Sequence, residues 1–264
     1  MPTKSHSELS PSPIMVVARY ELRALWLSPK GLTVLFGYVL LLSVLSYVAA
    51  SEAALNLLDA RESVGIVVQV AIGLSTLAAL VVSSDMISGE RERDTLEALL
   101  VTPVPRRALV IGKMAAASSM WLIGITAAVP YVISLAGGPG VTGDAIFVLG
   151  VAGSLVGLAL TAMGMAISAI SMSNRVSVAA SVGILLILAA PSQLPAVTAD
   201  GVLGSILIAS NPVSAGLKLA GLVLIDQKPL ADQWHLLISP VVAVAVMTFL
   251  AIRLSSRVRL GGAR

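Results

Sequence analysis

Six apolar runs constrain this chain more than any other feature: Gly31–Ala50, Val64–Ser84, Met114–Ala136, Asp144–Ile170, Val176–Ala190 and Leu236–Leu254. A helix needs roughly 20 apolar residues to cross a hydrocarbon core about 30 Å thick. In hydrocarbon the backbone must satisfy its own hydrogen bonds, which a helix does within one segment. The runs have that length, so the expected fold is an all-α membrane protein with six transmembrane helices. The fifth run is short and has room to extend toward Pro195. Composition agrees. Of 264 residues, 57% are hydrophobic and 12% charged, against about 25% charged in an average soluble domain.

Several chemistries are excluded at once. With no cysteine there is no disulfide, thiolate nucleophile or Cys-based metal site. His6 and His235 lie far apart, one in a polar tail and one before the last run, which argues against a histidine metal site. The net charge of +3 does not read as nucleic-acid binding. The basic residues sit in short segments between apolar runs, where they set membrane orientation. With the N-terminus placed in the cytoplasm, only Arg61, Lys218 and Lys228 of the 17 lysines and arginines fall outside. Six spans with both ends cytoplasmic are therefore expected, in a cell (inner or plasma) membrane.

The segments flanking the spans read as follows. Residues 1–13 are rich in Ser and Pro, lack an apolar run, and read as a disordered cytoplasmic tail rather than a cleavable signal. Residues 14–30 read as a helix lying in the membrane interface. Ile14, Met15, Ala18, Leu22, Leu25 and Trp26 share one arc, flanked by Arg19, Glu21 and Arg23. The alternative is a ragged extension of the first span. Residues 31–254 form the transmembrane domain, and 255–264 a cytoplasmic tail. Within 191–235, Val202–Ala209 and Val213–Ile225 are short for a full crossing and are separated by Asn211-Pro212. They are expected to be outer-leaflet helices, with a seventh and eighth span as the alternative. In the fourth span, Gly153 and Gly157 form a small-xxx-small pair suited to close helix packing, within the bundle or in a dimer.

One segment carries chemistry. Residues 85–113 crowd acids and bases between the second and third spans. Read as a helix, Glu90, Asp94 and Glu97 share one face and Leu96, Leu99 and Leu100 the other, with Arg93 in reach of Glu97. Pro103 and Pro105 stop it. A charged stripe needs water or a partner, and a leucine stripe needs apolar cover. By spacing alone the helix is either a mechanical contact with a second protein or a solvated loop helix.

The stretch from Glu90 to Val104, with Arg106 and Gly112-Lys113 after it, resembles the signature of ABC type-2 transporter permeases, roughly E-x-E-x-G-T-L-E-x-L-L-x-T-P-V. It departs from that pattern at Asp94, where the family most often has Gly. The resemblance extends to the interfacial helix, the six spans and the two short helices before the last span. It implies a coupling helix docked in a groove of a separate ATPase subunit, with two copies of that ATPase per complex. On the resemblance, Glu90, Glu92, Asp94, Thr95, Leu96, Glu97, Leu99, Leu100 and Pro103 form the docking element, while Arg106 and Lys113 anchor its return to the membrane. It also implies a second permease, as homodimer or heterodimer, in contact with membrane lipid. The chain has no G-x-x-x-x-G-K-[ST] loop. It is therefore expected to bind no cofactor itself and to be no enzyme, ATP and magnesium sitting on the partner ATPase.

Two other readings stay open. A non-transporting membrane subunit of an ABC complex would carry the same segment. An ion-driven secondary transporter would place ionisable residues inside its spans, which here are nearly free of charge.

Overall fold

A computed structural model describes residues 12–54, 59–95, 104–136, 139–193 and 202–255. Its elements are α1 (Pro13–Trp26), α2 (Pro29–Ala54), α3 (Ala60–Asp85), α4 (Ser88–Glu92), α5 (Arg106–Leu135), α6 (Pro139–Ile170), α7 (Asn174–Gln193), α8 (Val202–Ser210), α9 (Pro212–Leu224) and α10 (Ile238–Ser255). Short 3₁₀ turns at Leu230–Asp232 and Trp234–Leu237 lead into α10. Among the described residues every regular element is helical. The six helices long and apolar enough to cross a membrane are α2, α3, α5, α6, α7 and α10.

These six form an interior and a rim. About three-fifths of the span residues are buried in α3 and α6 (61% each) and 56% in α5. The shares fall to 22% in α2 and α10 and 11% in α7. Ile72 of α3, Trp121 of α5 and Leu149 of α6 are almost fully buried together in one apolar core. The rim helices turn Phe36, Ile187 and Phe249 outward, as helices bathed in lipid or covered by another chain would.

Small residues let the interior helices close on one another. The Trp121 indole of α5 lies across Gly153 and Gly157 of α6 and donates to Ser154 Oγ at 3.2 Å. A Cβ at Gly157 would stand 2.6 Å from Trp121 Cδ2, and one at Gly153 2.8 Å from its Cη2. Both glycines thus face a partner within the same bundle.

The ends of the chain differ from expectation in detail. Ser12 caps α1, its hydroxyl accepting from the Met15 amide at 3.4 Å, so the helix starts one residue inside the segment read as tail. The face α1 buries takes in only the C-terminal part of the apolar arc, Leu25 with Ala18, Leu22 and Trp26 half-buried, and adds Glu21. Glu21 and Leu25 are buried, Met15 is exposed, and Val17 packs on Gly112 of α5. A carboxylate thus joins the apolar face, for a reason given below. Helices α8 and α9 have 9 and 13 residues, about 14 and 20 Å of rise. Neither reaches across roughly 30 Å, so neither is a further span. Asn211 is not merely a break: its side chain accepts from Val213 N (3.0 Å) and Ser214 N (3.2 Å), capping α9, and donates to the Leu188 carbonyl at 2.6 Å. The candidate tail 255–264 lies outside the described residues apart from Ser255.

Gly157→Ala should therefore lower the thermal unfolding midpoint of the detergent-solubilised protein, at a cost of about 1–3 kcal/mol for overpacking against Trp121. Gly150→Ala is the control. A Cβ there meets nothing within 4 Å, so it should leave the midpoint unchanged or raise it through helix propensity. Equal effects of the two substitutions would show that the indole does not rest on Gly157.

Candidate functional site

The charged connector begins where α3 ends. Asp85 closes α3, a turn through Met86 and Ile87 follows, and α4 starts at Ser88. Nothing local caps α4, since Ile87 stands at the N-cap. The cap comes from α6. Ser168 Oγ accepts from the amides of Ile87 (3.0 Å) and Ser88 (2.9 Å). The Ser88 and Ser177 hydroxyls both donate to the Ser84 carbonyl at 2.7 Å. These four serines are fully buried. Together they fasten the start of α4 to α3, α6 and α7.

Helix α4 ends after five residues. The Thr95 amide donates to the Glu90 carbonyl (3.0 Å) and the Asp94 amide to the Arg91 carbonyl (3.3 Å). That pair of bonds is a Schellman stop, which puts the residue after the cap in the left-handed region. Asp94 has φ of 56°. The continuous helix expected from Glu90 to Leu100 is therefore interrupted at Asp94, and Asp94 does not continue the α4 face that carries Glu90. The physical reason is the turn itself. A left-handed residue ends a helix, and Asp is among the few non-glycine residues that tolerate it. Glycine, at this position in the resembling pattern, adopts the same conformation without strain. Leu96, Glu97, Leu99, Leu100 and Pro103 lie outside the described residues.

Charged side chains tie α4 to the rest of the bundle. Lys113, two turns into α5, places Nζ 2.6 Å from both Glu21 Oε1 of α1 and Glu90 Oε1 of α4. Its side chain is 3% exposed, those of Glu21 and Glu90 9% and 18%. Asp85 pairs with Lys30 of α2, and Arg93 Nη2 stands 3.5 Å from the same carboxylate. Arg93 thus reaches back toward α3. Arg91 donates to the carbonyls of Ser171 and Ala169 at the end of α6. Glu92 accepts the Asn174 amide at 3.1 Å and caps α7. Polar bonds thus join this short helix directly to α3, α5, α6 and α7, and through Lys113 to Glu21 of α1.

The geometry sorts the sequence-selected residues. Glu90 and Lys113 face inward onto each other. Glu92 is exposed but engaged with α7. Asp94 and Thr95 are exposed and shape the turn. Arg106 opens α5 on the exposed surface. Sequence reasoning missed Glu21, Lys30 and Ser168, whose partners are 55 or more residues away. It also missed Gly89. A Cβ there would come within 2.7 Å of Asp85 Cγ and 2.8 Å of Arg93 Nη2, so glycine lets that pair close over α4. The i, i+4, i+8 spacing of Asp85, Gly89 and Arg93 is a signal that was available.

Three carboxylates and three cations line a cavity of ≈370 Å³ here. Asp85 Oδ1 and Glu90 Oε2 are buried and make no hydrogen bond among the described residues. Burial pushes the Glu90 carboxyl above its ordinary value; the Lys113 ammonium opposes that shift and the Glu21 carboxylate adds to it. No three metal-ligating side chains gather among the described residues.

A family model described as ABC-2 family transporter protein matches residues 15–260. The chain belongs to the ABC-2 transporter family. No curated protein matches it. As an ABC-2 permease it is a multi-pass membrane subunit that works with an ABC ATPase, and permeases of this family generally lack an ATPase site of their own.

Removing the shared cation should be costly. Lys113→Met leaves Glu21 and Glu90 buried against each other, and loss of one partner from a buried ion pair costs about 3–5 kcal/mol. The thermal midpoint of the variant should fall well below that of Arg106→Met, whose side chain is exposed. Glu90 adds a pH signature. Because its folded pKa is raised, the wild type holds that contribution below the ordinary carboxylate value and loses it as pH rises through the raised one. Glu90→Gln should abolish this decline in stability. A parallel decline in the variant would place the titration elsewhere.

Proposed function

We propose that this permease is half of the membrane pore of an ATP-driven exporter, coupled through residues 85–113 to an ATPase subunit bound on the cytoplasmic side. Two ATPases and a second permease, identical or related, complete the complex. Both termini and the connector face the cytoplasm of a cell membrane, and the 191–235 segment faces outward. The supporting observation is the polar seat of α4. It is joined by a charge-assisted bond to α5, through Lys113 to α1, and by hydrogen bonds to α3, α6 and α7. A push on a solvated loop helix would dissipate in the loop. A push on α4 reaches five other helices at once. Residues Leu96 to Pro103, which follow directly in sequence, carry the charge and leucine pattern suited to a protein groove.

Docking is tested by Glu97→Lys and by Leu96→Asp combined with Leu99→Asp. Reversing a charge in a docking groove costs several kcal/mol, and a carboxylate on an apolar contact adds a desolvation penalty. The variants should insert and express as wild type, fail to co-purify with the ATPase, and lose transport-linked ATP turnover. Wild-type association and turnover in both would reduce the segment to a solvated loop and overturn the proposal.

A further inference from the structure

The end of the bundle away from α4 carries a second polar cavity, of ≈460 Å³, that nothing in the coupling mechanism uses. Gln69 of α3, Lys218 of α9 and Asp226 and Lys228 beyond α9 line it. Gln69 stands 16 positions before Asp85 along α3, about 24 Å of helical rise. The cavity and the α4 seat are therefore separate sites.

Its cations are out of place on general grounds. Lysine and arginine concentrate at the opposite end of this chain, and orientation in a membrane is set by that bias. Two of the three exceptions, Lys218 and Lys228, converge on this one cavity. Lys218 interrupts an otherwise apolar helix, is half-buried, and forms no ion pair among the described residues. A half-buried ammonium without an ion-pair partner in an apolar helix is costly, and such positions are commonly functional. Lys228 is brought back over the cavity by a specific turn. Gln227 adopts φ of 55°, and the Lys228 amide donates to the Leu222 carbonyl at 2.9 Å. A non-glycine residue in that region is strained, so the surrounding fold must over-determine it. Asp226 shares the lining but bridges neither lysine among the described residues.

The lining is also two-sided. Beside the two ammonium groups and the Gln69 amide stand Ile208, Leu217, Leu222 and Ile225. An inorganic anion would use only the first set. An amphiphile with a phosphate next to its hydrocarbon would use both. We propose that this cavity binds the phosphate of an anionic amphiphile, with Lys218 and Lys228 as its cations, Gln69 as a neutral donor, and the apolar wall against the first methylenes of its chain.

The test uses the purified full chain in a zwitterionic detergent. Phosphatidylglycerol, phosphatidylcholine or inorganic phosphate is titrated in, and the shift in thermal midpoint gives an apparent affinity. Phosphatidylglycerol should stabilise the wild type and phosphatidylcholine should not. Each lysine near a charged lipid surface contributes roughly fivefold, so Lys218→Gln with Lys228→Gln should weaken the phosphatidylglycerol response about thirtyfold. Without lipid the double variant should be at least as stable as wild type, since it removes an unpaired ammonium. Arg61→Gln, outside the cavity, should keep the full response. Stabilisation by inorganic phosphate at equal potency would make the occupant a free anion and overturn the amphiphile. An undiminished response in the double variant, or an equal loss in Arg61→Gln, would reduce the effect to general surface charge and overturn the site.

Discussion

The Lys113 ammonium is almost wholly withdrawn from bulk solvent, and much of the polar end of this permease is arranged around that fact. A single buried cation is tolerable only if anions reach it, and here they come from two different elements, Glu21 of α1 and Glu90 of α4. Each then loses its independence. Helix α1 must lie along α5 with Glu21 turned in, which is why its buried face includes a carboxylate beside Leu25. Helix α4 must stay seated with Glu90 pointing down, which leaves the opposite side of the connector for other contacts. Such pairs are strong evidence of a fixed geometry and weak evidence of net stability, because desolvation consumes much of the Coulombic gain.

Two kinds of packing meet in this bundle. In the apolar interior, specificity comes from shape: Trp121 fits across Gly153 and Gly157, and larger side chains there would clash. At the α4 end it comes from hydrogen bonds with fixed donors and acceptors, the serine cluster and the ion pairs. The interior can slide only by repacking, whereas the polar seat moves as a unit or breaks. Under the proposed coupling, the polar seat is the link between the ATPase contact and the spans. The weakly buried α2, α7 and α10 leave apolar faces for lipid or a second permease.

Much of this was legible in the sequence, for reasons that can be stated. The spans read directly because hydrocarbon thickness sets a length that no other fold element shares. The short helices α8 and α9 read because their apolar runs fall below that length. The connector stood out because charge is scarce everywhere else. What did not read was everything that depends on distant partners. Ser168 caps a helix 80 residues away, and Lys30 meets Asp85 across 55 positions. Asp94 misled for a different reason. Helical periodicity continues straight through it, and only the backbone conformation reveals the stop. The glycine favoured there in the resembling pattern was the clue. Glu21 looked like a flank of an interfacial helix because nothing local names Lys113 as its partner.

The central claim is that Lys113 locks α1 and α4 to α5, so that the three move as one body. Electron paramagnetic resonance distances test it directly, and the chain has no native cysteine to interfere. Spin labels at Arg23 of α1 and at Thr95, just after α4, occupy exposed positions on the two elements that Lys113 joins. The account predicts one narrow distance distribution, unchanged when the ATPase partner and ATP are added. A distribution that broadens or shifts with nucleotide would show α4 moving independently of α1, and would contradict it.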